Sequence, residues 1–108
     1  MAEEPSPIYS TLDPESAAGE ILDGFVFALA ERVDALQDAE YDSDLAHLGV
    51  LAIELSQAAN EAGYPALVQI AQQIARSCVE DKPEEAQSAL VALTELSQRV
   101  RKGHRGSA

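Results

Sequence analysis

The most regular feature of this sequence is the recurrence of apolar residues at every third or fourth position, interrupted at three short segments. This spacing is typical of amphipathic helices and not of strands, whose apolar residues alternate. The first two predicted helices place inward Leu22, Phe25, Leu29, Val33 and Leu36, with Ile21, Val26 and Ala28 beside them, then Leu45, Leu48, Ala52, Leu55, Ala59 and Ala62. The last two place inward Leu67, Ile70, Ala71, Ile74 and Cys78, then Ala86, Leu90, Leu93 and Val100.

Residues typical of helix ends lie at the borders of the first two segments. Asp13 followed by Pro14 predicts the start of a helix that runs to about residue 40. Asp44 or Ser43 is the predicted N-cap of the second helix, and Gly63 is its predicted left-handed end.

The third and fourth predicted helices each have a proline near their start. Pro65 predicts the first position of the third helix, and the stretch from Asp81 to Glu84 resembles a capping box before the fourth. Four amphipathic helices with short connections predict an all-α fold, an antiparallel four-helix bundle. The predicted organisation is an extended segment over 1–12, the bundle over 13–102 and a flexible tail over 103–108.

Charge narrows the choice of partners. The chain of 108 residues has a formal net charge of −12, and residues 1–44 contribute −11 of it, from twelve acidic residues and one basic residue. A strongly acidic surface repels phosphate, so nucleic acid is not an expected partner. The acidic N-terminus is unlike a signal peptide, and no apolar run is long enough for a membrane span. We therefore expect a cytoplasmic protein.

The residues that could carry chemistry are few. Cys78 is the single cysteine and lies on a predicted inward face, which is typical of a small buried apolar residue. Asp44 and His47 are spaced for one side of a helix, but a metal site in a bundle needs more ligands than this pair. We therefore expect no enzyme, no metal and no cofactor.

The second helix and its exit read Leu-Ala-Ile-Glu-Leu-Ser-Gln-Ala-Ala-Asn-Glu-Ala-Gly-Tyr-Pro over 51–65. This segment resembles the signature of the histidine-containing phosphotransfer (HPt) domain of bacterial phosphorelays. That signature commonly reads Leu-Ala-His-x-Leu-Lys-Gly-Ala-Ala and is followed by Gly-Phe-Pro or similar. The resemblance extends over residues 7–101 and implies an HPt-like four-helix bundle that binds receiver or histidine-kinase domains.

The same alignment shows a departure at the positions that the family uses for phosphotransfer. Ile53 occupies the position of the acceptor histidine, Ser56 that of the lysine and Gln57 that of the glycine. Isoleucine has no nucleophilic nitrogen, so it cannot accept a phosphoryl group. The resemblance therefore implies a degenerate member that binds its partner without carrying phosphate.

Two alternatives stay open at this stage. His47 could act as the acceptor of an active HPt protein, although it lies about 9 Å along the helix from residue 53 and about 120° around it. The chain could also be a helical interaction module with no signalling role. The predicted partner-binding residues are Val50, Ile53, Glu54, Ser56, Gln57 and Asn60. The oligomeric state is left open.

Overall fold

Four helices account for nearly all of the chain that the computed structural model describes, which is residues 8–12 and 19–106. The predicted all-α four-helix bundle is confirmed. The predicted helix start at Asp13 and Pro14 lies outside the described residues. The helices are α1 (Gly19–Tyr41), α2 (Leu45–Glu61), α3 (Pro65–Val79) and α4 (Pro83–Gly106).

The helices pack in a ring in chain order, and α4 closes the ring against α1. Each helix turns its apolar face to the centre, where leucines from all four helices, among them Leu29, Leu55 and Leu67, are fully buried. The predicted inward positions are buried or half-buried. Ile21 is a correction: the sequence predicts that it widens the inward stripe, but it is 51% exposed, whereas Val26 is buried.

All three connections have the same backbone form. One residue with a left-handed backbone follows each of the first three helices: Ser43 (φ 58°) after α1, Gly63 (φ 77°) after α2 and Asp81 (φ 55°) after α3. In each case its N–H bonds to the carbonyl three residues back, and the next N–H bonds to the carbonyl five residues back. This is the Schellman arrangement, which satisfies the last carbonyls of a helix. The residue after it precedes the next helix directly, so the connections are short enough to keep neighbouring helices antiparallel.

The cap predictions have mixed outcomes. Asp44 caps α2, and its carboxylate accepts from the His47 N–H at 3.1 Å. Pro65 opens α3 as predicted. The capping box at Asp81 is wrong, because Asp81 is the left-handed residue that ends α3, and Lys82 directly precedes the first residue of α4.

The described N-terminal residues lie across one end of the bundle. The Ser10 hydroxyl donates to the Ala62 carbonyl at 2.6 Å, and the Thr11 N–H donates to the Gly63 carbonyl at 2.8 Å. The Ile8 N–H donates to the Arg99 carbonyl on α4 at 3.0 Å. This segment therefore connects the turn between α2 and α3 to the C-terminal part of α4.

The C-terminal part of α4 is packed beyond the predicted bundle boundary at residue 102. The helix continues to Gly106, and Gly103 is buried so close to Ile8 that a Cβ there would overlap the Ile8 carbonyl. His104 lies 3.0 Å from the Asp23 carboxylate, measured from Nε2 to Oδ1. The bundle therefore includes residues that the sequence assigns to the tail.

Candidate functional site

The outward side of α2 carries two apolar residues in the middle of the helix. Val50 is 55% exposed and Ile53 is 48% exposed, and they are three residues apart, which places them on one side of the helix. The polar residues Gln57 and Asn60 continue the same side toward the C-terminal end. We call these four residues the α2 surface.

The other two predicted partner-binding residues differ in exposure. Glu54 is exposed, and with Gln57 it lines a shallow groove between α2 and α1. Ser56 is only 8% exposed, and its hydroxyl donates to the Ile53 carbonyl at 2.8 Å. The expectation that Ser56 shares one exposed patch with Ile53 and Gln57 is therefore wrong. Ser56 follows the buried Ala52 by four residues, and that spacing could have revealed its inward position.

The groove also contains a residue that the sequence analysis did not single out. Arg32 is half-buried on α1 and lines the groove together with Glu54, Gln57 and Glu61 on α2. It is the one basic residue of the first 44. Arg32 and the two glutamates give the groove charges of both signs, so any partner that docks across it meets mixed charge there.

The position that the HPt resemblance assigns to the acceptor histidine holds no nucleophile. Ile53 presents an aliphatic side chain to solvent, and the residues exposed next to it are Val50 and Gln57. An alkyl group makes van der Waals and hydrophobic contacts but has no lone pair to attack a phosphoryl group. The α2 surface therefore offers apolar contact at residue 53 but cannot take a phosphoryl group there.

His47 is exposed at the start of α2. It lies in the first turn, where its backbone N–H bonds to the cap residue Asp44. Helix geometry places it about two turns from residue 53 and on another side of the helix. The structure therefore does not bring His47 and Ile53 together.

Cys78 is half-buried where α3 packs against α2. A Cβ placed on Gly49 of α2 would lie 3.3 Å from the Cys78 Cβ, so the two helices approach closely at this point. Burial raises the pKa of the Cys78 thiol above its ordinary value, because the apolar surroundings disfavour the thiolate. This environment suits packing better than nucleophilic chemistry.

Two structural features are absent from residues 8–12 and 19–106. Within them, no group of three or more histidine, cysteine, aspartate and glutamate side chains is arranged to hold a metal ion. None of the helices in this part of the chain has the length and hydropathy that a membrane span needs.

Comparison with protein-family models, with curated proteins and with solved structures found no match. The HPt resemblance therefore depends on the residues of α2 and its exit, together with the bundle that the chain forms.

Proposed function

We propose that this chain is an HPt-like signalling module of a two-component phosphorelay that binds a receiver or histidine-kinase domain without carrying phosphate. The observation that carries the proposal is the exposure of Ile53 in the middle of α2, at the position that the resemblance assigns to the acceptor. At this position an exposed aliphatic side chain offers apolar contact to a docking partner and cannot accept a phosphoryl group.

The scaffold around this position supports the proposal. Leu55 and Ala59 are fully buried, and Gly63 closes the helix with a positive φ. These residues match the parts of the HPt signature that pack the bundle, whereas Ile53 and Gln57 replace parts that face the partner. The pattern is that of a retained fold with an altered surface.

Exposed apolar residues beside polar ones are typical of a protein contact surface. Val50 and Ile53 provide the apolar part of the α2 surface, and Gln57 and Asn60 provide hydrogen-bonding groups at its edge. A receiver or kinase domain that docks there would bury the two aliphatic side chains. Because those partners act inside the cell, the proposal implies a cytoplasmic protein.

A second candidate function is phosphotransfer through His47, and the exposure of that side chain favours it. His47 has access to solvent, so a receiver could reach its imidazole. The two functions differ in whether an acid-labile phosphate forms on the chain.

Binding to isolated receiver and histidine-kinase domains, measured by titration calorimetry, tests the proposal. We expect one or more of these domains to bind, and Ile53→Glu to weaken that binding about tenfold or more, because it places a charge in the buried centre of the contact. Val91→Glu is the matched control, since Val91 is 66% exposed on α4. Equal effects of the two substitutions, or no binding by any tested domain, would contradict the proposal.

A further inference from the structure

The outward side of α1 forms an acidic stripe that contains two exposed aromatic residues. Its members are spaced alternately by four and three residues and all are exposed. We call this set the outer seam of α1, and it consists of Glu20, Gly24, Phe27, Glu31, Asp34, Asp38 and Tyr41. The alternation gives an average spacing of 3.5 residues, which is the spacing that a second helix can follow along its whole length.

The two aromatic residues of the seam are almost fully exposed. Phe27 is 87% exposed and Tyr41 is 86% exposed. They are two heptads apart, so they lie about 21 Å from each other along one side of the helix. Leaving a phenylalanine ring in water forgoes the free energy that its burial provides, and Phe27 sits at a position where no helix of the bundle covers it.

The flanks of α1 contact its neighbours, and the outer seam lies between the two flanks. On one flank, Ala28 and Ala35 line a groove against Leu51 of α2, and the seam residue Glu31 lines the same groove. On the other flank, the Gln37 amide donates to the Thr94 hydroxyl of α4 at 3.1 Å. The outer seam therefore points away from the bundle between these two contacts.

The seam acids carry charge that the described chain does not neutralise. Among residues 8–12 and 19–106, none of Glu20, Glu31, Asp34 and Asp38 forms an ion pair. Four carboxylates along one helix side repel one another, and a cationic partner would relieve that repulsion.

We propose that the outer seam of α1 binds a basic amphipathic helix of a partner protein. Lysine or arginine side chains of that helix would lie against the seam carboxylates, and its apolar residues would cover Phe27 and Tyr41. A second copy of this chain is a poor occupant, because each copy carries a net charge of −12. The seam is separate from the α2 surface, so this inference does not depend on the proposed function.

The test uses the full chain and a synthetic helical peptide of three heptads, with lysines along one side and two leucines placed two heptads apart. A second peptide has glutamate in place of every lysine. Titration calorimetry is expected to show binding of the lysine peptide alone, weakened by added salt because exposed charges are screened.

Matched substitutions distinguish the seam from general attraction to an acidic protein. Phe27→Ser and Asp34→Lys are expected to weaken binding of the lysine peptide about tenfold or more, since they remove an anchor or reverse a seam charge. Val79→Ser and Glu80→Lys introduce the same two side chains at exposed positions at the end of α3, which packs against α2 and α4. They are expected to change the affinity by less than about twofold.

Three outcomes would overturn the inference. The first is no binding of the lysine peptide to the unaltered chain. The second is an equal effect of the substitutions on α1 and at the end of α3, which would indicate attraction by net charge alone. The third is self-association of the unaltered chain that Phe27→Ser abolishes, which would assign the seam to a second copy. Circular dichroism of each variant checks that the helices are intact.

Discussion

The rings of Phe25 and Tyr64 stack with their centroids 5.5 Å apart and their planes at 25°. Phe25 comes from α1, whereas Tyr64 directly precedes α3 and follows the left-handed Gly63. Both side chains are buried, and Tyr64 is only 2% exposed. The stack therefore packs the turn between α2 and α3 against α1.

Replacing the two stacked residues by leucine, singly and together, measures how strongly they interact. Leucine keeps much of the buried apolar volume, so the protein is expected to stay folded while the stack is lost. A double-mutant cycle in urea should give a coupling free energy of about 0.5–1.5 kcal/mol. Additive effects of the two substitutions would show that the rings contribute burial alone.

Tyr64 should make the protein less stable at alkaline pH. Burial raises the pKa of the Tyr64 phenol above its ordinary value, because the phenolate is poorly solvated in the core. The folded state therefore holds the proton more tightly than the unfolded state. The resulting stability is present below the unfolded pKa of about 10 and is lost as the pH rises through the folded pKa.

Tyr64→Phe keeps the ring and removes the titrating group, so the free energy of unfolding should fall less steeply above about pH 10 than in the unaltered chain. Urea unfolding at several alkaline pH values measures this slope. Tyr41→Phe is the control, since Tyr41 is 86% exposed. The explanation fails if both substitutions change the slope alike.

Two glycines should respond to alanine in opposite directions. At Gly63 the φ of 77° is strained for alanine, and its Cβ would lie 2.6 Å from the Thr11 hydroxyl and 2.7 Å from the Ser10 hydroxyl. Gly63→Ala should destabilise the protein and release the N-terminal segment. Gly24 lies within α1 with open space around it, so Gly24→Ala should stabilise by about 0.5–1 kcal/mol.

Chemical denaturation of the two variants tests this contrast, and proteolysis near residues 8–12 reports release of the segment. A stabilising Gly63→Ala would show that the segment does not lie over the turn.

Leu55 and Ile53 test which side of α2 faces the core. Leu55 is fully buried and Ile53 is 48% exposed. Leu55→Ala should cost about 2–5 kcal/mol of unfolding free energy, because it leaves a cavity among the four helices. Ile53→Ala should cost much less, since solvent fills the space. Similar costs in urea unfolding would contradict the orientation of α2.

The helices and their inward faces could be predicted from the sequence because apolar spacing and burial follow the same period. Leu55 and Leu29 are buried as their spacing indicates, and Gly63 ends α2 where a left-handed residue was expected. Ser43 and Asp81 adopt the same left-handed form without being glycine. Aspartate adopts this region more readily than most residues, and the short connection between two packed helices imposes it on Ser43 as well.

The candidate site was predicted less completely. Exposure of Val50 and Ile53 follows from their position opposite the buried seam of α2. The inward position of Ser56 was not predicted, because serine is polar and does not add to an apolar pattern. Its hydroxyl can be buried because it donates a hydrogen bond to the Ile53 carbonyl of its own helix. The contact of Ile8 with Gly103 joins the two ends of the chain, which no local pattern encodes.

The most direct test of the central claim is transfer of labelled phosphate from a phosphorylated receiver domain that binds this chain. We predict that the chain forms a complex with the receiver and acquires no acid-labile phosphate, and that His47→Ala changes neither result. Ile53→His places an imidazole at the centre of the α2 surface, and this variant is expected to gain labelled phosphate in the same assay. Label that appears on the unaltered chain and disappears with His47→Ala would contradict the claim and show that His47 is the acceptor.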